Sequence, residues 1–324
     1  MSRVLQREGW VVSLFVLFWL LLAATWAIQP DYGANGIASL VGAAVPYAFA
    51  VAAQTVVVIG GGIDLSVAAM MALTSVTAAR LMAGESEAFG AVVVVIVLLE
   101  GAILGAINGA LIVLSRVPDI IVTLAMLFVW QGAALLVLPS PGGGAAQWLR
   151  DLLVGSLSLP LLPDAVTRWV PKALVLILAA LCIVWVPLHR SRLGLSIYAI
   201  GSSSLAAFRS GVPVAWTKIA SYAIAGLFAG AGGLALTLST GIGAPIPGPY
   251  LLASVAAVVL GGVTLAGGKG GLLRPIVAVF ILRLVRSDLT LLAVDPNAAT
   301  IIEGTIMVGV VMLGAFIAMR GNRV

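Results

Sequence analysis

The chain has 324 residues, 62% of them hydrophobic and only 9% charged, with a mean hydropathy of +1.19 and a formal net charge of +5. A soluble domain carries about 25% charge and about 45–50% apolar residues, so this composition excludes one and implies an integral membrane protein. Nucleic acid is not the reason for the positive charge, because Lys and Arg fall in short clusters between apolar runs rather than along one face. One cysteine, Cys182, and one histidine, His189, exclude an internal disulfide and a Cys/His metal cluster.

The apolar runs are about 17–25 residues long, which is what a helix needs to cross about 30 Å of hydrocarbon, and they lack the alternation of barrel strands. The expected fold is an all-α polytopic membrane protein, a single transmembrane domain over 1–324 with about ten crossings, some of them broken or re-entrant. The spans are predicted at roughly 10–28, 41–59, 65–83, 90–114, 120–138, 171–188, 217–240, 249–265, 272–293 and 299–319. The first run follows Arg3 and Arg7 in the manner of a signal peptide, but it is long and has no convincing small-residue cleavage site, so it is read as a span. With the N-terminus inside, eleven Lys and Arg fall on inner segments and four on outer ones. That bias predicts a multi-pass membrane protein with both termini and the 189–216 segment cytoplasmic. The outer connection, 139–170, holds Pro139, Pro141, Pro160 and Pro163, with Trp148 and Trp169 where interfacial aromatics usually lie.

Between the second and third runs stands VVVIGGGIDLSV, Val56 to Val67. Three glycines let the backbone leave helical geometry, and Asp64 is placed to accept from the N–H of Ser66 or Val67 as the cap of the next helix. Broken helices of this kind line transport pathways, which leaves two readings of Asp64 open: a cap alone, or a cap that also belongs to a moving inner gate. Val258 to Leu265 repeats the approach of an apolar run to a glycine pair and is a candidate for internal duplication. Gly101, Gly105 and Gly109, with Gly226 and Gly230, have the spacing of close helix packing. Glu100 and Asn108 fall on roughly one face of the fourth span, and Arg283 and Arg286 share a face of the ninth from which Glu303 is a partner.

VVVIGGGIDLSV, followed by AINGAL (Ala106 to Leu111), VPDIIVTL (Val117 to Leu124), AIGSSSLAAFRSGVP (Ala199 to Pro213) and AAVVLGG (Ala256 to Gly262), resembles the permease subunits of bacterial ATP-binding-cassette importers for ribose and related sugars. The five pieces keep their order and spacing over about 50–270. The sequence departs from that pattern at Ala68, where the family has glycine, and in Tyr250 to Ser254, where an acidic residue is common. The resemblance implies a homo- or heterodimer of permease subunits in membrane lipid, a cytoplasmic ATP-binding-cassette ATPase and a periplasmic sugar-binding protein.

No GxxxxGK[ST] loop is present, and the Gly267 to Gly271 loop has no Ser or Thr after its lysine. ATP and Mg are therefore expected on the partner ATPase, with no cofactor, metal or catalytic residue on this chain. Ser202 to Pro213 has the grammar of a short helix, serines at its start and Gly211 and Pro213 past its end. The resemblance makes it the coupling helix, with Ser204, Ala206, Ala207, Arg209, Ser210 and Gly211 as the residues that meet the ATPase. The alternative is a passive surface helix. The translocation pathway and its gate are assigned to Gln54, Gly61, Gly62, Asp64, Asn108, Thr123 and Ser254. A proton-coupled secondary transporter of a small polar solute is the rival function, since embedded acids carry protons in such proteins, but it gives no reason for a capped helix in the inner loop.

Overall fold

The computed structural model describes residues 2–157 and 167–321 and is helical throughout these, with no strand beyond two isolated bridges. Pro160, Pro163 and Arg323 lie outside the described residues. Thirteen helices are described: α1 (Ser2–Ile28), α2 (Ala34–Ile59), α3 (Val67–Met82), α4 (Phe89–Ser115), α5 (Asp119–Val137), α6 (Gln147–Leu153), α7 (Lys172–Arg190), α8 (Arg192–Ser202), α9 (Ser204–Arg209), α10 (Val214–Thr240), α11 (Tyr250–Leu260), α12 (Leu273–Leu291) and α13 (Pro296–Gly321).

Each of the ten apolar runs becomes a helix, and among the described residues α2, α4, α5, α7 and α10 are long and apolar enough by themselves to cross a membrane. At 1.5 Å per residue, the 16 residues of α3 rise about 24 Å and the 11 of α11 about 16 Å, both short of the hydrocarbon thickness. In α12, four charged residues, Arg274, Arg283, Arg286 and Asp288, lower the hydropathy. Among the described residues five helices are therefore full-length spans by length and composition, with the shorter α3 and α11 packed among them.

Helices α2 and α10 form the centre. Of their apolar windows 56% is buried, against 17% in α5 and α7, whose outer faces remain apolar and open. Helix α10 packs along α4, α2 and α3; α12 joins α2 to α1; and α11 sits between α2, α12 and α13. The α4–α10 seam is the closest of these contacts, and its glycines explain why. A Cβ on Gly105 would lie 2.9 Å from the Gly226 Cα, and one on Gly101 would lie 2.9 Å from the Gly230 Cα, so the two backbones touch without side chains between them. The GxxxGxxxG spacing thus serves packing.

Prolines shape two of the helices, one from within and one from just past its end. In α7, Pro187 cannot donate to the carbonyl one turn back, and the turn before it, Leu181–Trp185, widens to π geometry. At the end of α4, Arg116 takes a left-handed φ of 58°, which stops the helix ahead of Pro118.

The glycine echo is structural as well as sequential. Helix α2 ends with Gly61 N–H donating to Val58 O and Gly62 N–H to Val57 O, with Gly61 at φ 79°. Helix α11 ends with Gly262 N–H donating to Val259 O and Val263 N–H to Val258 O, with Gly262 at φ 74°. Both are the same Schellman ending, and the positive φ is why each needs glycine there. The sequence-based span at 249–265 stops at Leu260 for this reason.

Candidate functional site

The two glycine breaks lie at the same end of the bundle, the end that carries Arg116, Arg190, Arg192, Arg209, Lys218, Lys269 and Arg274. They touch each other. Gly268 N–H donates to Ile59 O at 2.8 Å, which satisfies one of the last carbonyls of α2. Gly201, in the last turn of α8, is inserted between them. A Cβ on Gly61 would lie 3.4 Å from the Gly201 Cα, and one on Gly267 would lie 3.0 Å from it. The Tyr198 hydroxyl, one turn earlier, donates to Gly270 O at 2.8 Å; its pKa is pushed up by burial, against the lowering influence of the Arg274 charge. Helix α8 therefore straps the two breaks together, and two residues later α9 begins.

On its other side the first break is held by polar side chains. Asp64 is fully buried and accepts from Ser66 N–H at 2.8 Å and from Ser66 Oγ at 2.7 Å. The expected hydrogen bond to Ser66 is present, but α3 begins at Val67 with Ser66 in the cap position, so Asp64 closes the turn before the helix and does not cap it. Asn108 of α4 donates to Ser66 Oγ at 2.7 Å and accepts from Trp130 Nε1 at 3.2 Å, tying α4 and α5 to the same serine. Thr123 of α5 accepts from Leu65 N–H at 3.1 Å and lies 2.9 Å from the Asp119 carbonyl and 3.2 Å from that of Ile63.

Asp119 completes the arrangement. Its Oδ1 receives Lys218 Nζ at 2.7 Å and its Oδ2 receives the Tyr222 hydroxyl at 2.8 Å, both from the start of α10. A Cβ on Gly62 would sit 2.7 Å from that hydroxyl and would also meet the Asp119 carboxylate, so the glycine is what lets the pair close over the break. Asp119, Lys218, Tyr222 and Gly201 were not among the sequence candidates. One signal for Asp119 was available: it lies four residues before Thr123, on the same helical face.

Gly61, Gly62, Asp64, Asn108 and Thr123 are thus brought together, whereas Gln54 and Ser254 are not. Ser254 is buried and donates to its own helix at Leu251 O, 2.8 Å. Gln54 is 0% exposed, and neither Oε1 nor Nε2 has a hydrogen-bond partner among the described residues. All five polar side chains of the expected pathway are fully buried, so they face protein and not an open channel.

Helix α9 forms as its sequence grammar predicts. Ser203 Oγ accepts from Ala206 N–H at 3.2 Å, and Gly211, at φ 82°, closes the far end ahead of Pro213. Ser204, Ala206, Arg209, Ser210 and Gly211 are exposed. Ala207 is 5% exposed and packs inward, so it belongs to the seat of the helix and not to its outer face. The outer face is instead dominated by Leu205 and Phe208, 59% and 68% exposed, two apolar residues the sequence reading passed over. Beside Phe208 a groove of about 690 Å³ runs past Trp216, Pro118 and Lys218 to Asp119.

The other membrane charges find local partners. Thr77 donates to Glu100 Oε1 at 3.0 Å, and Thr25 to Asp288 at 2.6 Å. Arg286 pairs with Glu303 at 3.3 Å, while Arg283 lies 5.1 Å over the Tyr47 ring, so only one of the two arginines takes the expected carboxylate.

Residues 36–311 match the family described as "Branched-chain amino acid transport system / permease component". The ribose import permease protein RbsC of Escherichia coli K12 is 33% identical over 264 residues, covering 80% of this chain and 79% of the relative. The autoinducer 2 import system permease protein LsrD of Escherichia coli K12 is 25% identical over 332 residues, covering 98% and 95%. No solved structure matches the chain. A match over most of the sequence, with a relative above 30% identity aligned along four-fifths of it, shows that the chain belongs to the permease-component family of these transport systems.

Proposed function

We propose that this chain is the membrane-spanning permease of an ATP-driven importer for a sugar or a similar small polyhydroxylated solute. The observation that carries the reading is the junction at the basic end: a capped, partly exposed loop helix leads directly into a strap that clamps two broken helices. A secondary carrier has no use for such a device, whereas an ATPase acting from outside the membrane needs a lever.

In this reading the basic end is cytoplasmic, since Lys and Arg concentrate there and the opposite end carries Glu85, Glu87, Asp151 and Asp295. An ATP-binding-cassette ATPase, which binds the ATP and Mg, docks on Leu205, Phe208 and Arg209. Movement of α9 reaches the first break by two routes: through Gly201 to Ile59 and Gly61, and through Pro213 and Lys218 to Asp119, Tyr222 and Gly62. A second permease subunit, identical or homologous, supplies the other wall of the pathway, and a periplasmic receptor delivers the solute. Gln54, whose buried amide has no partner for its donor or its acceptor among the described residues, is the group in α2 suited to a solute hydroxyl once movement of the helices uncovers it.

The test is uptake into proteoliposomes containing the permease with its ATPase and receptor. ATP should drive labelled sugar inward with no ion gradient; uptake driven by a proton gradient in liposomes without the ATPase would replace this reading with the secondary carrier.

A further inference from the structure

We propose that the transported solute is a sugar acid, whose carboxylate is received at mid-membrane by Arg283 beside the N-terminal end of α11. This rests on the importer reading and narrows it. Heights measured from the basic end bring three residues to one level. Tyr250, which opens α11, stands ten residues from Leu260; Arg283 stands ten residues from the start of α12; and Tyr47 stands twelve residues from Ile59. At 1.5 Å per residue each is about 15–18 Å from that end, near the middle of the hydrocarbon. They meet there. The Tyr47 and Tyr250 ring centroids are 4.5 Å apart, and the Arg283 guanidinium lies 5.1 Å over the Tyr47 ring. Farther outward α11 no longer stands beside α2, and Asn35 and Ser39 of α2 are exposed.

A guanidinium at this depth is unfavourable unless something answers its charge. Tyr47 offers Arg283 a ring face and a hydroxyl, both neutral, and Arg283 Nε has no hydrogen-bond partner among the described residues. The nearby acids are engaged elsewhere: Glu303 pairs with Arg286, and Asp288 receives Thr25. Of the twelve acidic residues, only Glu8 and Asp164 have side chains outside the described ones, and neither is placed to pair with Arg283. Glu8 lies ten residues of α1, about 15 Å, toward the basic end from Phe18, whose ring meets Phe280 one turn below Arg283. Asp164 belongs to the loop between α6 and α7, helices with no extensive contact to α11, α12 or α13. Helix α11 adds to the same positive field. With Pro249 in the cap position and no side-chain cap, it directs the positive end of its dipole at this level. An interrupted helix that begins inside the membrane beside an arginine is a receptor for an anion, and the guanidinium fork matches a carboxylate. The hydroxyls have a partner farther along. Gln54 lies seven residues, about 10 Å, inward of Tyr47 on the same face of α2, with its amide unpartnered among the described residues, so an acid of monosaccharide size suits the pair better than a short one.

The complex of permease and ATPase is purified in a neutral detergent without the receptor, so that only the membrane site is read. Its thermal unfolding is followed in millimolar sodium gluconate, sorbitol or sodium acetate at constant ionic strength. Sorbitol is gluconate with an alcohol in place of the carboxylate; acetate is the carboxylate without the hydroxyls. Because a ligand of the folded state raises the unfolding midpoint, gluconate should raise it with an apparent affinity about tenfold or more above that of either control. Arg283→Gln should abolish the gluconate shift, and Glu303→Gln, which removes only a competing acid, should keep it. An absent gluconate shift, an equal one from sorbitol or acetate, or an undiminished one in Arg283→Gln would overturn the proposal. An absent shift in the wild type, with loss of the second permease subunit from Arg283→Gln, would give the arginine to the subunit contact instead. Should Arg283→Gln fail to assemble, the comparison of the three solutes on the wild type decides. ATP-driven import of a neutral sugar by a complex indifferent to gluconate would refute this inference and leave the importer reading standing.

Discussion

Replacing Gly201 by alanine tests whether the strap transmits motion. The added Cβ would lie 2.7 Å from Gly268 N and 2.9 Å from the Ile59 carbonyl carbon, and would press directly on the Ile59 oxygen. These are backbone atoms from two different breaks, so neither can turn aside as a side chain would. Two costs follow: overpacking of about 1–3 kcal/mol, and about 0.5–1.5 kcal/mol for the Gly268 to Ile59 hydrogen bond that the methyl group wedges open. Alanine returns about 1 kcal/mol through its better helix propensity at the end of α8. The balance is a loss of about 0.5–3.5 kcal/mol located at the contact between the two breaks, too little to unfold the bundle and enough to separate α8 from α2. Thermal unfolding in detergent reads the first effect, and the ratio of ATP hydrolysed to solute imported, in liposomes holding the whole transporter, reads the second. That ratio should rise several-fold. Gly132→Ala is the control, because its Cβ meets nothing within 4 Å, and it should leave both measurements near wild type. If the two alanine variants behave alike, Gly201 is not a contact through which α9 acts.

Three further outcomes can be checked on the same preparations. Asp64→Asn retains the oxygen that receives both Ser66 bonds and should unfold within about 1 kcal/mol of wild type, while Asp64→Ala loses both and should cost about 1–3 kcal/mol; an Asn variant that assembles and hydrolyses ATP but imports nothing would assign the charge to the gate. Gln54→Leu removes two buried atoms that have no partner among the described residues, so it should stabilise the protein by up to about 1–3 kcal/mol for each atom, read as a higher unfolding temperature, and depress uptake; a lower unfolding temperature with normal uptake would contradict the role given to its amide. For orientation, in a Cys182→Ser background, Ser204→Cys and Ser140→Cys, both at exposed positions, should react with an impermeant thiol reagent from opposite sides of the membrane. Gly143 is unsuitable for this, since its φ of 83° and an Ala79 oxygen 2.6 Å from its Cβ leave no room for a side chain.

Hydrophobic length fixes where helices are, and the ten runs were accordingly readable from composition along the chain. It does not fix where they end. Val263 and Leu265 continue the apolar run of α11, yet the helix stops at Leu260 because backbone geometry at Gly262, not hydropathy, decides the boundary. The site divides in the same way. Gly61, Gly62, Asp64, Asn108 and Thr123 were recognisable because their residue types are anomalous in greasy surroundings. Gly201 was not, since its partner Ile59 is far away in sequence and nothing local distinguishes it from a packing glycine. Within α9 the small residues drew attention to Ala207, while the fold turns that side chain inward and presents Phe208; a six-residue helix is too short for periodicity to tell its two faces apart.

The glycine seam between α4 and α10 has a consequence for how force travels. Where two helices interlock through side chains, a push can be dissipated as rotamers exchange and the helices slide by a fraction of a turn. Backbones in direct contact have less such play, because the α10 backbone at Gly226, Tyr222 and Ile219 fills the space where side chains on Gly101, Gly105 and Gly109 of α4 would stand, along three successive turns. The pair therefore behaves as one stiff beam whose basic end carries Asn108, Lys218 and Tyr222. A displacement applied at the start of α10 is expected to carry α4 with it, toward Ser66 and Asp119.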